Sequence, residues 1–361
     1  MAYEIDFLPV GEGERSGDAI ALRVGDFSAR DKQLVLVIDG GTKESGEQLV
    51  KHIKRYYQTD DVDLVVCTHS DADHASGLTE VLENLSVGQF WMHLPWEHTD
   101  RIRSLFKDGR LTVTGLREKF RKSLETAREL KAIAKRKGIP IVEPFSDKVN
   151  RNNILYVLSP STAYYESLLP NFRIAPEPKE EVGVLEKVVT AAREVVTRVA
   201  ENWGLETLTD PEEDASSAEN NSGAVLRLQF DGKQFLFTAD AGVPALTEAA
   251  NYADGSGIDL KACTFIQIPH HGSRRNVGPT ILNRILGPRG LQQSFNKTAC
   301  VSASKGGEPK HPSKRVVNAC KRRRAEVYAT QGITLCYHSD DAPDRGWGKA
   351  DPLPFYNEVE D

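Results

Sequence analysis

Thr68-His69-Ser70-Asp71-Ala72-Asp73-His74 follows directly on the apolar run Asp63-Leu64-Val65-Val66-Cys67. Four potential metal ligands, His69, Asp71, Asp73 and His74, thus fall within six residues. The loop that carries them starts at the C-terminal end of a strand apolar enough to be covered on both faces, where open α/β sheets place their sites. So many ionisable groups in one turn repel one another and lose hydration together, a conflict that a divalent cation removes. The segment therefore predicts a metal site.

Two later strands end in the same way. Gln234-Phe235-Leu236-Phe237-Thr238 runs into Ala239-Asp240, and Thr264-Phe265-Ile266-Gln267-Ile268 runs into Pro269-His270-His271-Gly272-Ser273. If strand alternation persists beyond Ile268, His270 faces the site and His271 stands behind it. Asp18 and Asp39, at turns following glycine or isoleucine, are read as supporting residues, and His93 and His98 as structural.

Around these strand ends the chain alternates strand and helix. Strands are expected at Glu4–Leu8, Ala19–Val24, Leu34–Ile38 and Phe90–Leu94, with helices at Glu47–Tyr57 and Leu78–Leu85. The second half repeats the rhythm, with strands Ala224–Phe230, Ala299–Ser302, Glu326–Ala329 and Ile333–Tyr337, and helices near Pro244–Ala250, Pro279–Leu286 and Ser313–Arg323. Two segments break it. Between Arg101 and Lys137 there are thirteen basic residues against four acidic ones, and Leu116, Phe120, Leu124, Ala127 and Leu130 recur at helical spacing, predicting one long amphipathic helix over Gly115–Lys137 with a basic outer face. Glu181–Trp203 reads as a second long helix, followed by a mobile acidic loop, Asp210–Glu219. The run Lys321-Arg322-Arg323-Arg324 complements a helix C-terminus and could also follow a nucleic-acid backbone.

Composition narrows the classes further. With 39% hydrophobic and 27% charged residues, the 361-residue chain suits one large α/β domain or two ordinary ones and not a disordered polymer. The net charge of −6 advertises no polyanion partner globally. No apolar run approaches the ~20 residues that span a bilayer, the N-terminus has no signal core, and the five cysteines form no CxxC. These features predict a cytoplasmic chain with buried free thiols and no membrane partner. P-loop, GxGxxG and GxSxG patterns are absent, which removes the main support for nucleotide-motor, dinucleotide and serine-hydrolase readings.

The set His69-x-Asp71-x-Asp73-His74, Thr238-Ala239-Asp240 and Pro269-His270-His271-Gly272-Ser273 resembles the metallo-β-lactamase fold, and within it the hydrolase domain of ComEC-type DNA-uptake proteins, which has Asp where most of the superfamily has the second His of HxHxDH. Phe7 to Gly13, Gly17-Asp18-Ala19, Ile38 to Gly41, Asn220-Asn221-Ser222, Val301 to Ser304 and Lys310-His311-Pro312 resemble its other motifs. The resemblance implies an α/β fold, a four-layer αββα sandwich in a single domain over residues 1–361, with helical insertions at about 97–138 and 173–215. It implies two divalent ions, Zn²⁺ or Mn²⁺ with Mg²⁺ also open. His69 and Asp71 would hold one, and Asp73, His74 and His270 the other, with Asp240 between them. His311 joins Asp73 as a candidate catalytic residue, and Asn221, Ser273, Ser302, Ser304 and Lys305 are candidates for binding substrate. The implied activity is a metal-dependent phosphodiesterase, a nuclease acting on DNA. A hydrolase of a cyclic nucleotide, lactone or thioester remains open, as does a module of a bacterial defence or DNA-processing system that binds a protein partner through the insertions.

Overall fold

The computed structural model describes residues 1–11, 16–148, 150–151, 154–179, 198–212, 215–290, 293–306 and 311–360. Most of the helix expected over Glu181–Trp203 lies outside these residues, as do Glu12, Gly13 and Lys310 of the quoted motifs. Of that helix, the described end is extended: Arg198–Ala200 pairs antiparallel with Glu358–Glu360.

Alternating apolar residues build two seven-stranded sheets. The first contains β1 (Ala2–Phe7), β2 (Ala19–Gly25), β3 (Gln33–Gly40), β4 (Leu64–Val66), β5 (Phe90–Trp91) and β6 (Ile141–Val142) side by side, with β14 (Leu335–His338) beyond β1. The second contains, in spatial order, β13 (Ala325–Ala329), β12 (Lys297–Val301), β11 (Phe265–Gln267), β10 (Lys233–Phe237), β9 (Val225–Phe230), β8 (Leu155–Ser159) and β7 (Asn150–Arg151). Leu36, Ile38, Leu64 and Val66 of the first sheet meet Leu226, Leu228, Phe235 and Phe265 of the second in one buried layer. Their neighbours Val35, Val37 and Val65 point the other way, onto helices α1 (Lys43–His52) and α2 (Leu78–Asn84). Likewise Leu236, Ile266 and Val301 pack under α5 (Val243–Gly255), α6 (Pro279–Ile285) and α7 (Lys314–Arg322). Period-two alternation with both faces covered gives the expected αββα layering.

The basic segment is two helices, not one. Thr112 caps α3 (Val113–Ser123) through its Oγ1, and Leu124 leaves the helical region (φ −107°, ψ 65°) before α4 (Glu125–Lys137) begins. No Gly or Pro marks this elbow, and the apolar spacing runs through it unchanged, so sequence periodicity could not reveal it. The bend lets Leu116 and Phe120 on one helix and Leu130 and Ala134 on the other reach the same core. The acidic loop is also tied down where described: Asp210 accepts from the backbone N–H and hydroxyl of Thr280. All five cysteines are free thiols, and no helix among the described residues is long and apolar enough to cross a membrane.

Much of the basic charge serves the fold. Arg322 is buried against Glu201, Arg323 against Glu206, and the Lys321 ammonium donates to the Leu353 carbonyl. The run 321–323 is therefore unavailable to a polyanion, which corrects that part of the sequence reading. His98 sits between Glu143 and Glu166, at 3.0 and 2.7 Å. Burial opposes its charge, but the two carboxylates raise its pKa above the ordinary value. His93 stacks on Tyr165 and is held neutral by burial, its pKa lowered to about 3.

Two outcomes test this packing. A Cβ on Gly77 would lie 2.0 Å from the Gly40 carbonyl oxygen and 2.4 Å from that of Thr42, so Gly77→Ala should cost ~1–3 kcal/mol or more in urea unfolding, whereas an unchanged midpoint would contradict the close approach. A folded-state pKa raised on His98 contributes stability below its unfolded value of about 6.5 and loses it as pH climbs through the raised value. The stability difference between wild type and His98→Gln should accordingly shrink as pH rises above about 6.5, and a constant difference would contradict it.

Candidate metal centre

Strand β4 delivers the decisive loop. Past Cys67, Thr68 donates its N–H and its hydroxyl to the two oxygens of Asp39, at 2.8 and 2.6 Å. The Thr68 oxygen is then free to accept from Nδ1 of His69, 3.0 Å away. The Asp71 carbonyl accepts from the N–H groups of His74 and Ala75, starting the one-turn helix Ala72–Ala75 that swings His74 back beneath the loop. There His74 is fully buried, with Nδ1 3.0 Å from Asp39 Oδ2. One carboxylate, directly and through one hydroxyl, thus fixes both imidazoles with Nδ1 protonated and Nε2 turned inward.

The inward atoms meet Asp240. His74 Nε2 lies 3.4 Å from Asp240 Oδ1, and His69 Nε2 lies 3.9 Å from Oδ2. His69 Nε2, His74 Nε2 and Asp240 Oδ1 are all buried without a hydrogen-bond partner among the described residues. Orphaned buried groups of this kind carry a desolvation cost of ~1–3 kcal/mol each, which a divalent cation would relieve. Charge tells the same story. Burial alone would neutralise His74, yet Asp240 and Asp39 raise its pKa well above normal. Burial likewise opposes charge on Asp240, but His270 and His74 hold its carboxyl well below the usual range. Asp18, 3.6 Å from His74 Nδ1, is pushed up to about 7 by burial. Imidazole nitrogens and hard carboxylate oxygens in one desolvated cluster suit a divalent cation such as Zn²⁺ or Mn²⁺.

The third strand end departs from the expected alternation. His270 and His271 both adopt positive φ, 46° and 57°, so the backbone no longer sends successive side chains to opposite faces. Both imidazoles turn inward: Asp240, His270 and His271 have ligand atoms within 4.8 Å of one another, as do Asp73, His74 and His271. His271 is buried and bonded through Nδ1 to the Ser302 carbonyl at 2.9 Å. Burial, then neighbouring imidazoles, lower its pKa to about 3. It belongs to the cluster and not behind it. His270 stands at the mouth, a third exposed, its Nδ1 2.9 Å from the Asn220 amide. A Cβ on Gly272 would fall 2.4 Å from Pro312 Cβ. That close approach places His311 with its ring 6.3 Å from that of His271 and its buried Nδ1 unpartnered.

His69, Asp73, His74, Asp240 and His270 are therefore brought together, and Asp18 and His271 join them. Asp71 is not. Its carboxylate is held 3.3 Å from Arg173 Nη2, a partner from far along the chain that the motif alone could not foresee. Asn221 is committed to fastening the Asp240 loop, accepting from Gly242 N–H and donating to the Ser216 carbonyl. Ser273 Oγ accepts from Arg275 N–H, Ser302 contributes its carbonyl to His271, and Ser304 N–H donates to Ser16. Lys305 is exposed, with its stem beside Gly332. A Pro-His-His-Gly segment, with glycine able to accept a kink, was the available signal for His271.

The Asp39 anchor yields an expected outcome. Asp39→Ala should weaken metal binding about 10–100-fold, the usual cost of losing a ligand's outer partner, measured by titrating the apoprotein with Zn²⁺ or Mn²⁺. Unchanged affinity would show that Asp39 does not orient the imidazoles.

Comparison with known proteins follows the same lines. Residues 29–140 match the sequence profile of the metallo-beta-lactamase superfamily. Over 171 residues the chain is 28% identical to ComE operon protein 3 of Bacillus subtilis (strain 168), a match covering 45% of this chain and 20% of that protein. The matched stretch therefore spans about a fifth of that relative's length. Among solved structures, the metallo-beta-lactamase fold protein YhfI from Bacillus subtilis aligns with a TM-score of 0.43 at 7% identity, covering 94% of this chain and 100% of that one. A diphosphatase from the PhnP family aligns with a TM-score of 0.40 at 9% identity, covering 94% and 98%. With its profile match, two facing sheets and outer helices, the chain has the metallo-β-lactamase fold.

Proposed function

We propose that this chain is a metal-dependent phosphodiesterase that hydrolyses DNA. The observation that carries the reading is the convergence of His69 Nε2, His74 Nε2 and Asp240 Oδ1, buried and without partners, where three strand ends meet. His69, Asp240 and His270 would hold one divalent cation, and Asp73, His74 and His271 the other. Such a pair supplies a nucleophile at neutral pH and positive charge for the oxygens of an in-line displacement. The chain's own groups do the rest. Asp39 and Ser302 fix the imidazoles, so that little reorganisation accompanies reaction. His311, its pKa lowered by burial and then by His270, keeps an unpartnered nitrogen beside the cluster that can contact the phosphate or protonate the departing oxygen.

DNA as substrate is supported by the HxDxDH, TAD and PHHGS set and by the partial match to ComE operon protein 3. It is also supported by Lys119, Lys122, Arg128 and Lys135 on α3 and α4, which are exposed and have no ion-pair partner among the described residues. Cations free of internal partners are the ones available to a phosphate backbone.

Purified protein incubated with DNA in Mn²⁺ or Zn²⁺ should cleave it, and EDTA should stop the reaction. Asp240→Asn and His74→Ala should each reduce the rate by more than the ~100-fold typical of losing an outer partner. Cleavage that survives both substitutions, or a complete absence of cleavage in either metal, would overturn the assignment.

A further inference from the structure

Beside the metal loop lies a cleft of about 410 Å³ that the hydrolytic centre itself does not use. It sits at the lower end of the ~300–1,000 Å³ typical of ligand sites. Asp71, between His69 and Asp73 in sequence, forms one wall, and the elbow between α3 and α4 forms the other with Lys122 and Leu124. Arg173, Ile174, Glu219 and a second glutamate, Glu125, also line it. The chemistry of these groups is uneven in an informative way. Glu219 is buried, and its Oε1 accepts from the backbone N–H and Nε of Arg173. Its Oε2 is buried and has no hydrogen-bond partner among the described residues. A buried carboxylate oxygen without a donor repels a phosphate and calls for an N–H or O–H. Leu124 and Ile174 offer apolar contact, and the Arg173 guanidinium, held between Glu219 and Asp71, presents the kind of plane on which bases stack. Lys122, exposed and without an ion-pair partner among the described residues, stands where a neighbouring backbone phosphate would be met.

We propose that this cleft receives one unpaired base of the DNA strand, adjoining the scissile phosphate, and that Glu219 selects bases carrying an exocyclic amino group. The proposal rests on the phosphodiesterase reading above and adds to it a single-stranded substrate and a base preference. An unpaired base can swing out of its stack into the cleft, whereas a base held in a duplex must first be unpaired and flipped out, at a cost of roughly a few kcal/mol. Cytosine N4 is a donor that a carboxylate recognises, while thymine offers only the O4 acceptor at the same edge.

Fluorescence anisotropy of short labelled oligo-dC, oligo-dT and abasic single strands, in EDTA so that no turnover occurs, tests the proposal. Wild type should bind oligo-dC about tenfold more tightly than oligo-dT or the abasic strand, matching ~1.4 kcal/mol from one good contact. Glu219→Gln, nearly isosteric and able to donate to thymine O4, should erase or reverse that preference, with thermal melting confirming that it folds. Equal binding of the three strands by wild type would overturn the proposal, and so would a preference that Glu219→Gln leaves intact. Because these measurements need no catalysis, they separate the two readings. Base preference without cleavage would remove the nuclease assignment alone, and cleavage without base preference would remove the cleft's role alone.

Discussion

The Asp39 carboxylate is the constraint on which the rest of the site depends. It accepts from the N–H and hydroxyl of Thr68 and meets Nδ1 of His74, and through Thr68 it reaches Nδ1 of His69. One buried anion at the end of β3 therefore decides which nitrogen of each imidazole faces the centre. The consequence is a pocket of partnerless ligand atoms that hydrogen bonds within the chain do not satisfy. Folding tolerates this only because the surrounding layers are well packed, with the sandwich core on one side and helix-covered sheet faces on the others.

Much of this was legible beforehand because the signals are local. A strand buried on both faces announces itself as a continuous apolar run, and ligands at its end follow from chain order. Strand β8 and the neighbouring helix Thr162–Leu168 were missed, because Leu155-Tyr156-Val157-Leu158 stands isolated between polar segments and carries no motif. His271 was misplaced because alternation was extended past a point where two consecutive residues take positive φ. Asp71 was assigned to the cluster from motif spacing. It pairs with Arg173, about a hundred residues further on, and no local pattern encodes that pairing.

Charge gave the subtler lesson. Two basic stretches invited the same reading, yet they have different fates. The 321–323 run is folded into the interior against Glu201, Glu206 and backbone carbonyls, so its charge stabilises a helix end and its surroundings. On α3 and α4, Arg121, Lys131 and Arg136 pair with glutamates, whereas Lys119, Lys122, Arg128 and Lys135 stay open to solvent. Only the unpaired set can act on a partner, and it lies on the helices whose elbow walls the cleft beside the metal loop. On these two helices the apolar stripes join the core, and the bend between them walls the cleft beside the His69–His74 loop.

The central claim is that imidazoles and carboxylates from separate strand ends share divalent cations. Anomalous diffraction from crystals soaked in Mn²⁺ addresses it most directly. The account predicts peaks at coordinating distance, ~2.0–2.3 Å, from His74 Nε2 and the Asp240 carboxylate, with His69 and His271 completing the shells. Peaks confined to exposed carboxylates elsewhere on the surface, with none between these four residues, would contradict it.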